Sequence, residues 1–288
     1  MMRTMTKESP TARRRALGQA LRELRETAGK SILDAAALLE CSESKIRKIE
    51  YGDVPTKVAE RSALLTAYGA SDEDAAEINN LAKVANQRGW WQSYRGAVPR
   101  WFRRYVGLES AATEIRWYEV ELVPGALQTE EYARALINAS NPHMPQREIE
   151  SRLNVRKERQ ERLLSDGTRL LTVISEAAIR RVVGGTSAMA EQLDLLLNVQ
   201  RQADVEVQVI PNSAGAHPAT GFPFILLRFP DDQAPSLAYT ENLTSAAYHD
   251  RPTDVETYTV VFDRLRAVAL SPSDSAALIK RAAKEIQT

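Results

Sequence analysis

The sequence predicts two domains of different class: an all-α, five-helix helix-turn-helix head, then a larger mixed α/β body with a modest sheet. Three observations carry this. Residues 31–52, SILDAAALLECSESKIRKIEYG, place their apolar side chains at helix-turn-helix spacing. Beyond about residue 88, strand-like and helix-like stretches alternate, the pattern of an α/β layer fold. A chain of 288 residues is also long enough for two cores. The boundary is drawn between residues 1–87 and 88–288.

The head is read element by element. Leu17, Leu21, Leu24 and Ala28 recur at helical spacing, and Gly29 supplies a left-handed stop. Ser31 with Asp34 reads as a capping box, and Ile32 begins the second helix. Counting Ile32 as the first position, Ala35, Ala36, Leu39, Cys41, Ile46 and Ile49 fall at positions 4, 5, 8, 10, 15 and 18. These are the positions that hold the two helices at a fixed angle, with small Ala36 at their closest approach. Glu40 occupies the turn position that usually takes Gly, so a left-handed residue bearing a Cβ is expected there. Ser42 is placed to cap the third helix, which turns Glu43, Ser44, Lys45, Arg47 and Lys48 outward. Helix four is predicted from near Thr56 to Tyr68. Helix five starts at Ser71, where Asp74 closes a second capping box.

The body opens on Trp90, Trp91 and Trp101 within twelve residues. They read first as core packing that pins a loop, and otherwise as an aromatic ligand pocket or a partner surface. A helix is predicted from Gly107 to Trp117, and a short strand at Tyr118, Val120 and Leu122. Thr129 caps a helix through Ala139, and a long charged helix spans Pro145 to Leu164. Arg169 to Ile174 is a buried strand, Glu176 to Val183 a helix broken by Gly184 and Gly185, and Ser187 to Ala203 a further helix. Val205, Val207 and Val209 alternate with Glu206 and Gln208, as in a half-buried strand. Pro223–Phe229 and Leu237–Thr240 are further strands. Two helices, 252–269 and 272–286, follow, the second opened by Ser271, Pro272 and Asp274.

Composition narrows the function classes. Hydrophobic content of 43% and charged content of 26% are those of a soluble globular protein. No 18-residue apolar run and no signal-peptide h-region is present, so the cytoplasm is the expected compartment and no membrane partner is expected. One cysteine excludes an internal disulfide framework. Residues 1–70 carry 13 Lys+Arg against 9 Asp+Glu, net +4, and the remainder is net −4. A basic head on an acidic body suits a protein that meets DNA with one end. Arg13, Arg14 and Arg15 either reach phosphates or the minor groove, or form a solvated terminus.

Chemistry-bearing motifs are sparse. His143, His217 and His249 lack metal-ligand spacing, and no Gly-x-Ser-x-Gly, His-Glu-x-x-His, Gly-Lys-Ser/Thr or His-x-Lys motif occurs. No metal, no cofactor and no enzyme activity are expected. Glu176, Arg180, Arg181, His217, Tyr239 and Glu241 form the best polar constellation, placed at strand ends and loops. Arg180 and Arg181 read first as a solvated helix face and Glu241 as a strand end; a ligand cleft ranks ahead of a catalytic site, since the set shows no nucleophile–base logic. Loop 211–221, PNSAGAHPATG, has the composition of a lid or docking loop.

Residues 16–87 resemble the xenobiotic-response-element (Cro/C1-repressor) helix-turn-helix family, through Ile49-Glu50-Tyr51-Gly52 after the third helix. The resemblance implies a structural pair between Arg25 and Glu50 that holds the first helix on the third. The body resembles the C-terminal domain of actinobacterial WhiJ-like regulators. The segments that carry this are Gly89-Trp90-Trp91, Gly107-Leu108-Glu109-Ser110-Ala111, the run Val123 to Ala133, Val207 to Pro211, and Phe262-Asp263-Arg264-Leu265. Ala126 stands where that run usually has Leu. This likeness implies a transcriptional regulator often encoded beside a small partner protein in a toxin–antitoxin-like arrangement, and it carries no site residues into the body.

The expected function is a sequence-specific transcriptional regulator, a repressor, binding double-stranded DNA as a homodimer. Its body would receive a small partner protein or a small-molecule ligand. Glu43, Ser44 and Lys48 are assigned to bases, Lys45 to a base or a phosphate, and Arg47, Lys57 and Thr56 to phosphates, with Ile32 starting helix two. The alternatives are an antitoxin-like protein that sequesters its partner and an enzyme localised by a DNA-binding head.

Overall fold

A computed structural model describes residues 9–94, 96–202, 204–230 and 234–287. The chain divides into two compact units. The first takes the N-terminal stretch through Ser93 with Arg103–Ala111 and Phe229–Pro235. The second takes Tyr94–Phe102, Ala112–Arg228 and Ser236 onward.

The first unit is helical: α1 (Pro10–Thr27), α2 (Ile32–Leu38), α3 (Glu43–Glu50), α4 (Val58–Ala67), α5 (Asp72–Ala85) and most of α6 (Arg100–Glu109). Pro10 opens α1, where a missing N–H costs nothing. Gly29 ends the turn after it with φ of 65°. Ser31–Asp34 and Ser71–Asp74 both form reciprocal capping boxes. Leu17, Leu21, Ala35, Ala36, Ile46, Ile49, Leu64 and Ile78 pack into one core. Arg13, Arg14 and Arg15 lie inside α1. Arg15 is buried and donates to the Pro235 carbonyl, while Arg14 donates to the Ala85 carbonyl at 2.7 Å. Neither reading of Arg14 and Arg15, phosphate arm or solvated terminus, describes them.

The second unit contains β1 (Glu114–Glu119), α7 (Glu130–Ser140), α8 (Gln146–Ser165), β2 (Arg169–Ser175), α9 (Glu176–Arg180), α10 (Thr186–Val199) and β3 (Val205–Ile210). After these come β4 (Phe224–Arg228), β5 (Leu237–Glu241), β6 (Ala246–His249), α11 (Pro252–Val268) and α12 (Pro272–Gln287). Six strands form one mixed sheet in the order β3-β2-β1-β4-β5-β6. β1, β2 and β3 are parallel; β4, β5 and β6 add on antiparallel. Tyr118, Val173, Phe224 and Ala238 pack with Phe262 and Leu265 of α11 on one sheet face.

Three expectations change. The helix predicted over Gly107–Trp117 is absent: α6 ends at Glu109 and β1 begins at Glu114. Ladders to β2 and β4 on both sides outweigh the weak helical periodicity of a segment ending in the strand-formers Trp117 and Tyr118. Gln208 does not face water from a half-buried strand. It is 6% exposed, donating to the Leu270 carbonyl and accepting from Arg266 Nε, both at 2.9 Å. The edge strand β6 was not foreseen, since four residues offer too short a pattern.

Candidate DNA interface

Two contacts fix the third helix in its place. Arg25 Nε and Nη2 donate to the two carboxylate oxygens of Glu50 at 2.6 and 3.0 Å, and Arg25 Nη1 reaches the Lys30 carbonyl at 2.9 Å. This bidentate fork joins α1 to the end of α3 inside the core. Nearby, α1 and α3 approach so closely that a Cβ on Gly18 would meet the Ile49 carbonyl oxygen at 2.4 Å. Gly18 is a fold-determining residue that periodicity alone passes over. The turn between α2 and α3 holds Glu40 at φ 49°, the one non-glycine with positive φ among the described residues. Its Cβ is tolerated because the carbonyls it leaves behind are still used: Cys41 N donates to Ala36 O at 2.9 Å.

From this base α3 presents its outward face. Ser42 takes the N-cap position, but its side chain makes no cap hydrogen bond. Glu43, Ser44, Arg47 and Lys48 are exposed. Glu43 and Arg47 pair with each other at 3.1 Å. Lys45 turns toward α4, where its Nζ lies 2.6 Å from the Glu60 carboxylate. That hydrogen bond raises the Lys45 pKa. The Lys45 hydrogen bond and the Lys57 backbone N–H, at 3.0 Å, hold Glu60 below the usual carboxylate range. The side chains of Ser44 and Lys48, one helical turn apart, keep no hydrogen-bond or ion-pair partner among the described residues. They are the groups on this face whose polar atoms are left for something else.

A groove of about 590 Å³ runs beside that face, lined by Ser44, Lys45, Lys48, Thr56, Lys57 and Glu60 among others. Lys57 is exposed at the start of α4 and its side chain has a clear path to solvent. Thr56 is placed differently from a surface phosphate ligand: it is 5% exposed, and its Oγ1 is buried without a partner. Helix four starts at Val58, two residues beyond the predicted start. Ile32 is half-buried at the first position of α2 and packs against the core. Sequence spacing gave no sign of the Lys45–Glu60 bond, because it joins residues on different helices.

The polar constellation expected in the second unit separates into pairs. Glu176 bonds Arg180 and the Asn212 N–H, Arg180 also meets Glu285, and Arg181 meets Glu121. His217 lies 3.4 Å from the Tyr118 hydroxyl. Within the set, Glu176 stays with Arg180 at 2.6 Å and Tyr239 with Glu241 at 3.0 Å. Among the described residues no group of His, Cys, Asp and Glu side chains is arranged to hold a metal ion, and no helix is long and apolar enough to cross a membrane.

Two family models match the chain. A helix-turn-helix domain covers residues 16–78, and a domain of unknown function, DUF5753, covers residues 102–281. No curated protein matches the chain. No solved structure matches it either.

Proposed function

This chain belongs to the DUF5753 family, and from that membership and the helix-turn-helix domain ahead of it we propose a sequence-specific transcriptional repressor whose body receives a signal. The single observation that carries the DNA reading is the outward face of α3. Ser44 and Lys48 stand exposed there with unused donors, on a helix locked from behind by Arg25 and Glu50. A helix so presented enters the major groove, where Lys48 donates to guanine O6 or N7. Glu43 and Arg47 exchange their mutual bond for a cytosine amine and a phosphate. Lys57 takes a phosphate beside the first turn of α4.

Lys45 acts in this reading through Glu60, setting the angle between α3 and α4. A single head of this size gives limited affinity, so the operator is a pseudo-palindrome and the protein a homodimer. The body carries no catalytic duty; it binds a small partner protein or a small ligand and favours one arrangement of the paired heads.

Fluorescence anisotropy on DNA covering the gene's own upstream region tests this, at several salt concentrations and against random DNA. Tight, salt-sensitive, discriminating binding that Lys48→Ala weakens supports the reading. Equal and weak binding to both DNAs overturns it.

A further inference from the structure

Strand register brings an unusual set of charges together in the second unit. Trp117 on β1, Ile225 on β4, Tyr239 on β5 and Tyr248 on β6 stand opposite one another across the sheet. β1 and β5 run in the same direction, since both are antiparallel to β4. Two residues further along, Glu119 and Glu241 therefore share one face at matching strand ends. That end is the carboxyl end of β1, where the strand order reverses between β2 on one side and β4 on the other. Ligands of open α/β sheets bind at such points. From α8, Arg152, Arg156 and Arg159 recur along one helical face, and Arg156 and Arg159 act electrostatically on Glu241.

None of the three central charges is neutralised by contact. Arg156 Nη1 donates to Gln128 Oε1 at 2.9 Å, and among the described residues no carboxylate forms an ion pair with it. Glu119 accepts from Trp117 Nε1 at 3.0 Å and Glu241 from the Tyr239 hydroxyl at 3.0 Å; neither forms an ion pair with a described cation. The Nε of Arg152 is buried without a partner. Burial, then the charge of Glu241, pushes Glu119 up to about 7. Burial, with Arg159 and Arg152 alongside, brings Arg156 down to about 10. Glu119 and Arg156 are half-buried and Glu241 is exposed, so all three charges stay open to a solute while none is bridged to an opposite charge.

We propose that this cluster of charges binds a small zwitterion of the α-amino-acid class, its ammonium group between Glu119 and Glu241 and its carboxylate on Arg156. A dipolar molecule meets both signs of charge, as neither an amine nor an acid alone does. The site deepens the signal-receiving role proposed for the body and rests on that reading only for its effect on DNA.

The test uses the full chain, following thermal unfolding and tryptophan fluorescence with the common L-α-amino acids at millimolar concentration. Propylamine and propionate serve as half-ligand controls. At least one amino acid should bind saturably, with each half-ligand weaker by about tenfold or more. Glu119→Gln and Arg156→Met should each weaken that binding by roughly tenfold or more. In the free protein both variants should raise the unfolding midpoint, because each removes an unmet charge; residues with a merely structural role would lower it. No amino acid binding, half-ligands binding equally well, or both variants lowering the free midpoint overturns the site. An amino acid that binds as expected but leaves operator affinity unchanged keeps the site and removes the sensory reading.

Discussion

Removing one partner of the Arg25–Glu50 fork should cost more than any other single polar change in the head. Both side chains are 7% exposed, and the fork carries two charge-assisted bonds at 2.6 and 3.0 Å. Glu50→Leu leaves a guanidinium charge in the core with the Lys30 carbonyl and the edge of Glu26 as its remaining acceptors. Breaking such a pair costs about 3–5 kcal/mol. Replacing both partners at once, Arg25→Met with Glu50→Leu, removes the stranded charge as well as the bond. The double variant should therefore be more stable than either single one, with a coupling of about 2 kcal/mol or more. Calorimetry of the full chain reads this directly: each single variant should lower the head's transition by at least about 10 °C. Single variants within about 1 kcal/mol of wild type, or a strictly additive double variant, would refute the reasoning.

Four further outcomes are expected. Lys48→Ala should weaken specific DNA binding by about 1–3 kcal/mol and relax one base position, with the unfolding midpoint unchanged; anisotropy and calorimetry on the same sample separate the two. Gly18→Ala should destabilise the head by roughly 1–3 kcal/mol, since its new methyl group meets backbone oxygen that no rotamer change can move. Thr56→Val should leave stability level or raise it by up to about 1 kcal/mol in urea unfolding, because the hydroxyl it removes is buried and unpartnered. Glu119 governs a pH effect: its folded value, about 7, lies above the unfolded 4.5, so its contribution is full below about 4.5 and lost as pH rises through 7. That loss is worth roughly 3 kcal/mol, and the difference in unfolding free energy between wild type and Glu119→Gln should change by about that much across this window.

The head was largely legible because its signals are local. The capping boxes, the stop at Gly29 and the positions of Ala36, Ile46 and Ile49 all act within one or two helical turns. Even the strained position, Glu40, announced itself by replacing a glycine. What was missed joins residues far apart in sequence: Lys45 with Glu60, Arg14 with the Ala85 carbonyl, Gly18 against Ile49. Thr56 was misplaced for a related reason, since its burial depends on how the loop before α4 folds back. In the body, strands rich in apolar and β-branched residues, such as Leu170 to Ile174, were readable from their own residues. β1 was not, because its pairing to β2 and β4 outweighs its local propensity. The partnership of Glu119 and Glu241 depends on register across an intervening strand, which no spacing along the chain reveals.

Arg104 of α6 donates to the Asp53 carboxylate at 2.8 Å and to the Tyr51 carbonyl at 3.0 Å, so the loop leaving α3 is anchored by a residue fifty positions downstream. The Ser9 hydroxyl donates to the Gly107 carbonyl in the same segment. A head excised at residue 87 therefore loses the anchor of the loop that follows Lys48, while every residue assigned to DNA is still present. Such a fragment would fold around an intact core yet let the end of α3 fray, and its affinity would understate that of the whole chain. Extending the fragment to Ala111 restores the anchor and is the sounder starting point for crystallising the head on DNA.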